Sequence, residues 1–221
     1  MTGSGPSVAA AAAEGNGGRM GHRGPVGFDL DMTLIDSRPA IMAAFAELAI
    51  QTGTAIDLTA VDSRLGIKLE DEVAFWFPPD QHAEAAACYR RHYLRLAPQL
   101  TTIMPGAHQA VAAVRAAGER VVIITAKHPV SVEPSLRAVG LSVDELFTHV
   151  HGAEKAAVLR DLDAAAYVGD SPPDMAAAAD AGVRAVGVTT GSFAARELAA
   201  AGADVVLDSL TGFPDWYRSA L

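Results

Sequence analysis

The chain has 221 residues, half of them hydrophobic and 19% charged, a composition that suits a folded, enzyme-sized body and excludes a disordered or fibrous one. A formal charge of −9 and a pI near 5.1 exclude a general affinity for nucleic acid or an anionic membrane, because an acidic surface is repelled by both. An anionic ligand must therefore find a local positive site, and the three lysines, Lys68, Lys127 and Lys155, stand out against 14 arginines.

Residues 1–24 are rich in Gly, Ala, Ser and Asn with no sustained periodicity, so they read as a disordered tail, with Met20 as an alternative start. The apolar run 8–13 is too short for a signal-peptide core, and no run approaches the ~20 apolar residues of a membrane span. The single cysteine, Cys88, leaves no disulfide framework. Together these features point to a cytoplasmic protein, monomer or homodimer being left open.

From Val26 onward, short apolar runs alternate with helical patterns, the signature of a doubly wound α/β fold in which a parallel sheet is wrapped by crossover helices. Strands are expected at 26–30, 121–125, 166–169, 185–188 and 205–207, with a weaker sixth at 146–150. Helices at 107–117, 175–181 and 194–201 stop at Gly118, Gly182 and Gly202, where a left-handed cap is expected. The interval 39–103 breaks the alternation: it is helical throughout, with stops at Gly53, Gly66 and Pro78-Pro79. The expected organisation is an α/β core from 25–38 and 104–221, interrupted by a small four-helix cap at 39–103.

Open parallel sheets bind ligands beyond the C-terminal ends of their strands. The first strand ends in Phe28-Asp29-Leu30-Asp31-Met32-Thr33, the second in Ile124-Thr125, and a later one in Val168-Gly169-Asp170-Ser171-Pro172-Pro173-Asp174; Lys155 opens a helix between the last two. Asp29 and Asp31 flank one residue, so period-two geometry gives their side chains a similar direction. One carboxylate of such a pair can attack phosphorus and form a labile mixed anhydride, while the other moves the proton. Attack by one anion on another requires cations aimed at the phosphoryl oxygens, and a hard ion such as magnesium takes one or two protein carboxylates, here Asp29 and Asp170. Lys155 can add a fixed positive charge and Thr125 a hydroxyl donor. Each residue also has an ordinary reading: Asp as a turn cap, Thr125 as a strand former, Lys155 as a solvated helix residue, and Asp174 as the N3 acid of a helix capped by Ser171.

Taken in chain order, these loops resemble the motifs of the haloacid dehalogenase superfamily over roughly 26–210, most specifically through its Asp-x-Asp-x-Thr motif at Asp29, Asp31 and Thr33. The resemblance implies a Rossmann-like core, a magnesium-dependent phosphatase, Asp29 as nucleophile, and Asp31 as acid/base. It also implies Thr125 and Lys155 as the second and third motifs, and Asp170 as a metal ligand with the Asp31 carbonyl and supporting Asp174. The sequence departs from the pattern at Met32, where Gly is usual, and in a short 152–170 stretch without the Lys-Pro-x-Pro form of the third motif, which leaves Lys127 as the alternative phosphate-binding lysine.

The helical insertion resembles the cap of the phosphoglycolate phosphatase and β-phosphoglucomutase group. Within it, 64–69 resembles a cap loop that contacts the leaving group, which makes Lys68 and Arg64 candidate substrate contacts. The expected activity is hydrolysis of a small phosphorylated metabolite through an aspartyl-phosphate. A phosphomutase, a phosphonate hydrolase using Lys68, and a catalytically silent binding protein are the competing readings.

Overall fold

The computed structural model describes residues 24–220. The expected tail and the alternative start at Met20 lie outside these residues, except for Gly24, which is buried.

After β1 (Val26–Phe28), a tight loop leads into β2 (Ile35–Asp36) and then α1 (Arg38–Thr52), α2 (Leu58–Ser63), α3 (Leu69–Val73) and α4 (His82–Leu100). A 3-10 turn at Pro79–Gln81 precedes α4, and β3 (Thr102–Ile103) follows it. The chain then alternates through α5 (Ala107–Ala116), β4 (Val121–Thr125), α6 (Pro129–Ala138), β5 (Glu145–Thr148), α7 (Ala153–Asp161) and β6 (Ala166–Gly169). It ends with α8 (Pro172–Ala181), β7 (Arg184–Val188), α9 (Ala195–Ala200), β8 (Val205–Leu207) and α10 (Phe213–Ala220).

All pairs in the six-stranded sheet are parallel, in the order β5-β4-β1-β6-β7-β8. The chain moves outward from β1 through β4 to β5, then returns to the other side of β1 and moves outward again, so the topological switch falls at β1. In register, Phe28 pairs with Ile123 and Val168, which brings the ends of β1, β4 and β6 side by side. Alternate strand residues supply both faces. Val26, Phe28, Val121 and Ile123 pack towards α5, α6 and α10, while Val122, Ile124 and Tyr167 pack towards α7, α8 and α9. Gly118, Gly182 and Gly202 take φ of 80°, 71° and 103°, the left-handed cap expected of them.

The helices between β2 and β3 carry an apolar cluster of their own, built on Phe45, Leu48, Val73, Tyr89 and Tyr93. The β2–β3 ribbon, pairing Ile35 with Ile103 and Asp36 with Thr102, joins this helical body to the core and was not anticipated. Two residues per strand are too few for a period-two signal. Strand β1 is also shorter than 26–30. The ladder ends where Asp29 N donates to the Val168 carbonyl at 2.8 Å, after which the Leu30 carbonyl accepts from Thr33, Leu34 and Ile35 and turns the chain.

Candidate active site

The loop after β1 is wound so that both of its aspartates face one cleft. Leu30 and Leu34 are fully buried beneath it; Asp29, Asp31 and Met32 line the cleft, while Thr33 is buried behind them. Met32 adopts a φ of 62°, left-handed and unusual for a residue with a side chain. Burial of that side chain among Phe28, Leu34 and their neighbours offsets the cost, and Thr190 Oγ1 donates to the Met32 carbonyl at 2.5 Å.

Lys155, near the start of α7, reaches across the sheet edge. Its Nζ lies 3.0 Å from Asp29 Oδ1 and 2.6 Å from Asp174 Oδ1. Asp174 is in turn held by Ser171, whose backbone N and hydroxyl lie 3.2 and 2.5 Å from Oδ2, and by the Tyr167 hydroxyl at 3.3 Å from Oδ1. With both oxygens engaged, Asp174 orients Lys155. The expected N3 acid of α8 therefore acts as a helix cap and a lysine anchor at once.

Asp170, just past β6, accepts from Thr33 Oγ1 at 3.0 Å, which ties the first loop to the acidic one. Two close backbone approaches need glycine. A Cβ on Gly169 would lie 2.4 Å from Asp174 Cβ, and one on Gly191 would lie 1.9 Å from Asp170 Oδ2. Thr125 is buried at the end of β4 and lines the same cleft, its Oγ1 accepting from Lys127 N at 3.2 Å.

Asp29, Asp170 and Asp174 are buried and present oxygens within 4.8 Å of one another. Burial pushes the Asp29 carboxyl up to about 7; Lys155 pulls it down, and Asp174 and Asp31 add repulsion. Burial also raises Asp170 well above the carboxylate range, with Asp174 and Asp29 reinforcing it and the Thr33 hydrogen bond opposing it. Clustered oxygen donors without a sulfur or imidazole among them suit a hard divalent cation.

The two lysines that the sequence left as alternatives take separate partners. Lys127 Nζ lies 2.7 Å from Asp31 Oδ1, while Lys155 takes Asp29. Burial alone would push both lysines down, yet the carboxylates beside them hold each above its ordinary value. A cavity of about 610 Å³ opens over this group, walled by Lys68, Arg64, Tyr89 and Tyr93 from the helical insertion and by His128, His149 and His151 from the core loops.

Arg64 lines the cavity, but its Nε and one terminal nitrogen bind Glu72 at 2.9 and 2.6 Å, and its guanidinium lies 4.2 Å from the Phe75 ring centroid. Its charge is thus already answered by Glu72 within the same wall of the cavity. Lys68 sits at the N-cap of α3 on the same wall, and it contributes to holding the His151 imidazole down at about 4, after burial as the main cause.

A family model described as haloacid dehalogenase-like hydrolase matches residues 26–179. The chain belongs to that family. It is 31% identical over 206 residues to a plasmid-encoded phosphoglycolate phosphatase of Cupriavidus necator, covering 84% of this chain and 89% of the relative. A phosphoglycolate phosphatase of Cereibacter sphaeroides is 34% identical over 178 residues, covering 71% and 81%. Among solved structures, a hydrolase from Pseudomonas syringae superposes with a TM-score of 0.77 at 20% identity, covering 90% of this chain and 99% of its own, a likeness of fold. The Rossmann-like α/β architecture read from the sequence stands, as does an enzyme that hydrolyses phosphoric monoesters. No helix among the described residues is long and apolar enough to cross a membrane.

Proposed function

We propose that this chain is a magnesium-dependent phosphatase of a small phosphorylated metabolite with a second acidic group, phosphoglycolate being the first candidate. Its relatives named as phosphoglycolate phosphatases support that choice. The observation that carries the reading is the Lys155 ion pair with Asp29 beside Asp170, which sets a nucleophile, a fixed cation and a metal-suited carboxylate at the switch point of the sheet.

Asp29 attacks phosphorus with a carboxylate oxygen, and the leaving alkoxide takes a proton from Asp31. The aspartyl-phosphate then opens to water as Asp31 takes a proton from it, which releases phosphate, frees the Asp29 carboxylate and returns Asp31 to its protonated form. Lys155 and the Thr125 hydroxyl bind phosphoryl oxygens through this sequence. A magnesium ion would be held by Asp29, Asp170 and the Asp31 carbonyl, and when bound it supplies charge neutralisation for the anionic phosphoryl group. Residues 39–103 act as a cap over a core of 25–38 and 104–221; the separate apolar cluster of the insertion supports that division. The cap closes the site to bulk water, and Lys68 reads the substrate's second anionic group.

The test has two stages. Hydrolysis of p-nitrophenyl phosphate with and without magnesium decides whether this is a metal-dependent phosphatase, and silence on every phosphomonoester would return the chain to a binding role. A screen of metabolite phosphates, phosphoglycolate among them, then ranks kcat/KM, and a neutral substrate at the head of that ranking would defeat the acidic-substrate assignment.

A further inference from the structure

Lys127 occupies a position that neither phosphoryl binding nor metal binding accounts for. Its side chain is only 8% exposed, and Nζ lies 2.7 Å from Asp31 Oδ1 and 4.4 Å from the centre of the Tyr93 ring. Tyr93 belongs to α4 of the helical insertion, is buried, and meets Ser135 Oγ on α6 through its hydroxyl at 3.1 Å. Helix α4 packs along α6, whose first turn follows Lys127 directly. A single buried ammonium therefore touches the second carboxylate of the core on one side and an aromatic face of the insertion on the other.

The Asp31 carboxylate is engaged unevenly. Oδ1 accepts from both Lys127 Nζ and the Ser37 hydroxyl, while Oδ2 has no hydrogen-bond partner among the described residues. Two donors on one oxygen fix the carboxylate plane and leave the other oxygen to carry and deliver a proton. Buried charge pairs are costly to desolvate, so a lysine retained here needs a compensating role, and an aromatic face within about 6 Å offsets part of that cost.

We infer that Lys127 is a positioning residue: clamped by Tyr93 of the cap, it sets Asp31 so that Oδ2 faces the leaving oxygen, and it thereby couples the seating of the cap to proton transfer. This rests on the proposed role of Asp31 as acid/base. The cap would thus act on the chemistry through Tyr93 and Lys127 as well as by enclosing the substrate. A lid displaced from α6 would loosen the ring from Lys127 and free Asp31 to turn away from the leaving group.

Proton transfer matters most when the leaving group is a poor one, which gives a readout that a merely structural lysine would not move. For Lys127→Met, kcat/KM on an alkyl phosphate should fall by about 30-fold, part of the ~10²–10⁴ that a general acid supplies. On p-nitrophenyl phosphate, whose phenolate leaves readily, the fall should be about 3-fold. Lys127→Arg keeps a cation able to lie over the ring and should recover most of the alkyl phosphate activity. Tyr93→Leu should show the same leaving-group bias, with Tyr93→Phe closer to wild type. If Lys127→Met does not fold, as judged by circular dichroism and thermal unfolding, Lys127→Gln carries the comparison, since it keeps a donor without the charge.

Equal losses on the two substrates, or none on either, would overturn the inference. An Asp31→Asn protein with wild-type turnover of alkyl phosphate would overturn the acid/base reading beneath it. Asp31→Asn inactive with an unbiased Lys127→Met would overturn only the positioning role.

Discussion

Lys155 and Asp29, 126 residues apart in the chain, meet at 3.0 Å because the first turn of α7 and the residue just past β1 line the same cavity. The contact is buried and is continued by Asp174 at 2.6 Å, so the lysine is held by two carboxylates. If Asp29 is the nucleophile, Asp29→Asn should abolish turnover, because an amide is a poor nucleophile and a weaker metal ligand. The protein should still fold, since Lys155 keeps Asp174. Asp31→Asn should lose about 10²–10⁴ in kcat on poor leaving groups. Steady-state kinetics with circular dichroism checks both, and substantial activity in Asp29→Asn would remove the aspartyl-phosphate mechanism.

Metal dependence should itself depend on pH, with a sign fixed by Asp29. Burial raises this carboxyl from its ordinary range to about 7, so in metal-free protein it is protonated below that pH and ionised above it. A divalent cation binds the ionised form, so magnesium affinity should weaken as pH falls through about 7. The rise in Tm on adding magnesium should accordingly be larger at pH 8 than at pH 6, and EDTA should remove both that rise and the activity. A magnesium-induced rise in Tm that is the same at the two pH values would place the cation elsewhere.

The loop carrying Gly191 presses directly on Asp170. A methyl added there would fall 1.9 Å from Asp170 Oδ2, so Gly191→Ala must displace either the loop or the carboxylate. The expected outcome is a loss of magnesium affinity of about 10–100-fold, the range for residues that orient a metal ligand, with activity recovered at high magnesium. Titration of activity against magnesium measures it, and an unchanged half-saturation would show that the loop yields instead.

Legibility followed the length scale of each signal. The sheet was readable because β4 and β6 are buried on both faces and so read as continuous apolar runs. Asp29, Asp31, Thr125 and Asp170 were readable because each ends or follows such a run. Helix α6 was missed because Pro129 and Pro134 depress helix propensity, whereas in the fold Val132 and Leu136 pack into the core and decide the matter. Helix α10 was missed as well, though its Phe213 ring lies 5.4 Å from that of Phe28. The choice between Lys127 and Lys155 was beyond local pattern, because both sit near strand ends and only the tertiary path shows which carboxylate each meets. The Arg64 ion pair was beyond local pattern for a similar reason, its partner Glu72 lying eight residues on, across a turn.

Selectivity should rest on Lys68 and spare Arg64. Both line the cavity from the helical insertion, but Arg64 is bound through two nitrogens to Glu72 and stacked on Phe75, so its loss should act on the 64–69 loop as a whole. Lys68 lines the cavity together with His151 of the core loops, and its charge contributes, after burial, to depressing that imidazole. Lys68→Ala should therefore lower kcat/KM for a carboxylate-bearing phosphomonoester by about 1.5–3 kcal/mol, the range for a hydrogen bond to a charged group. On p-nitrophenyl phosphate, which offers no carboxylate, the loss should be several-fold smaller. Arg64→Ala should reduce both substrates alike and lower the Tm, because it leaves the buried Glu72 carboxylate without its cation. His151 is neutral above about pH 4, so the preference for the acidic substrate should stay level from pH 6 to pH 8 if Lys68 alone carries the charge. A preference that fades across that interval would shift the recognition to a titrating histidine, and equal losses on both substrates in Lys68→Ala would move Lys68 into the catalytic machinery.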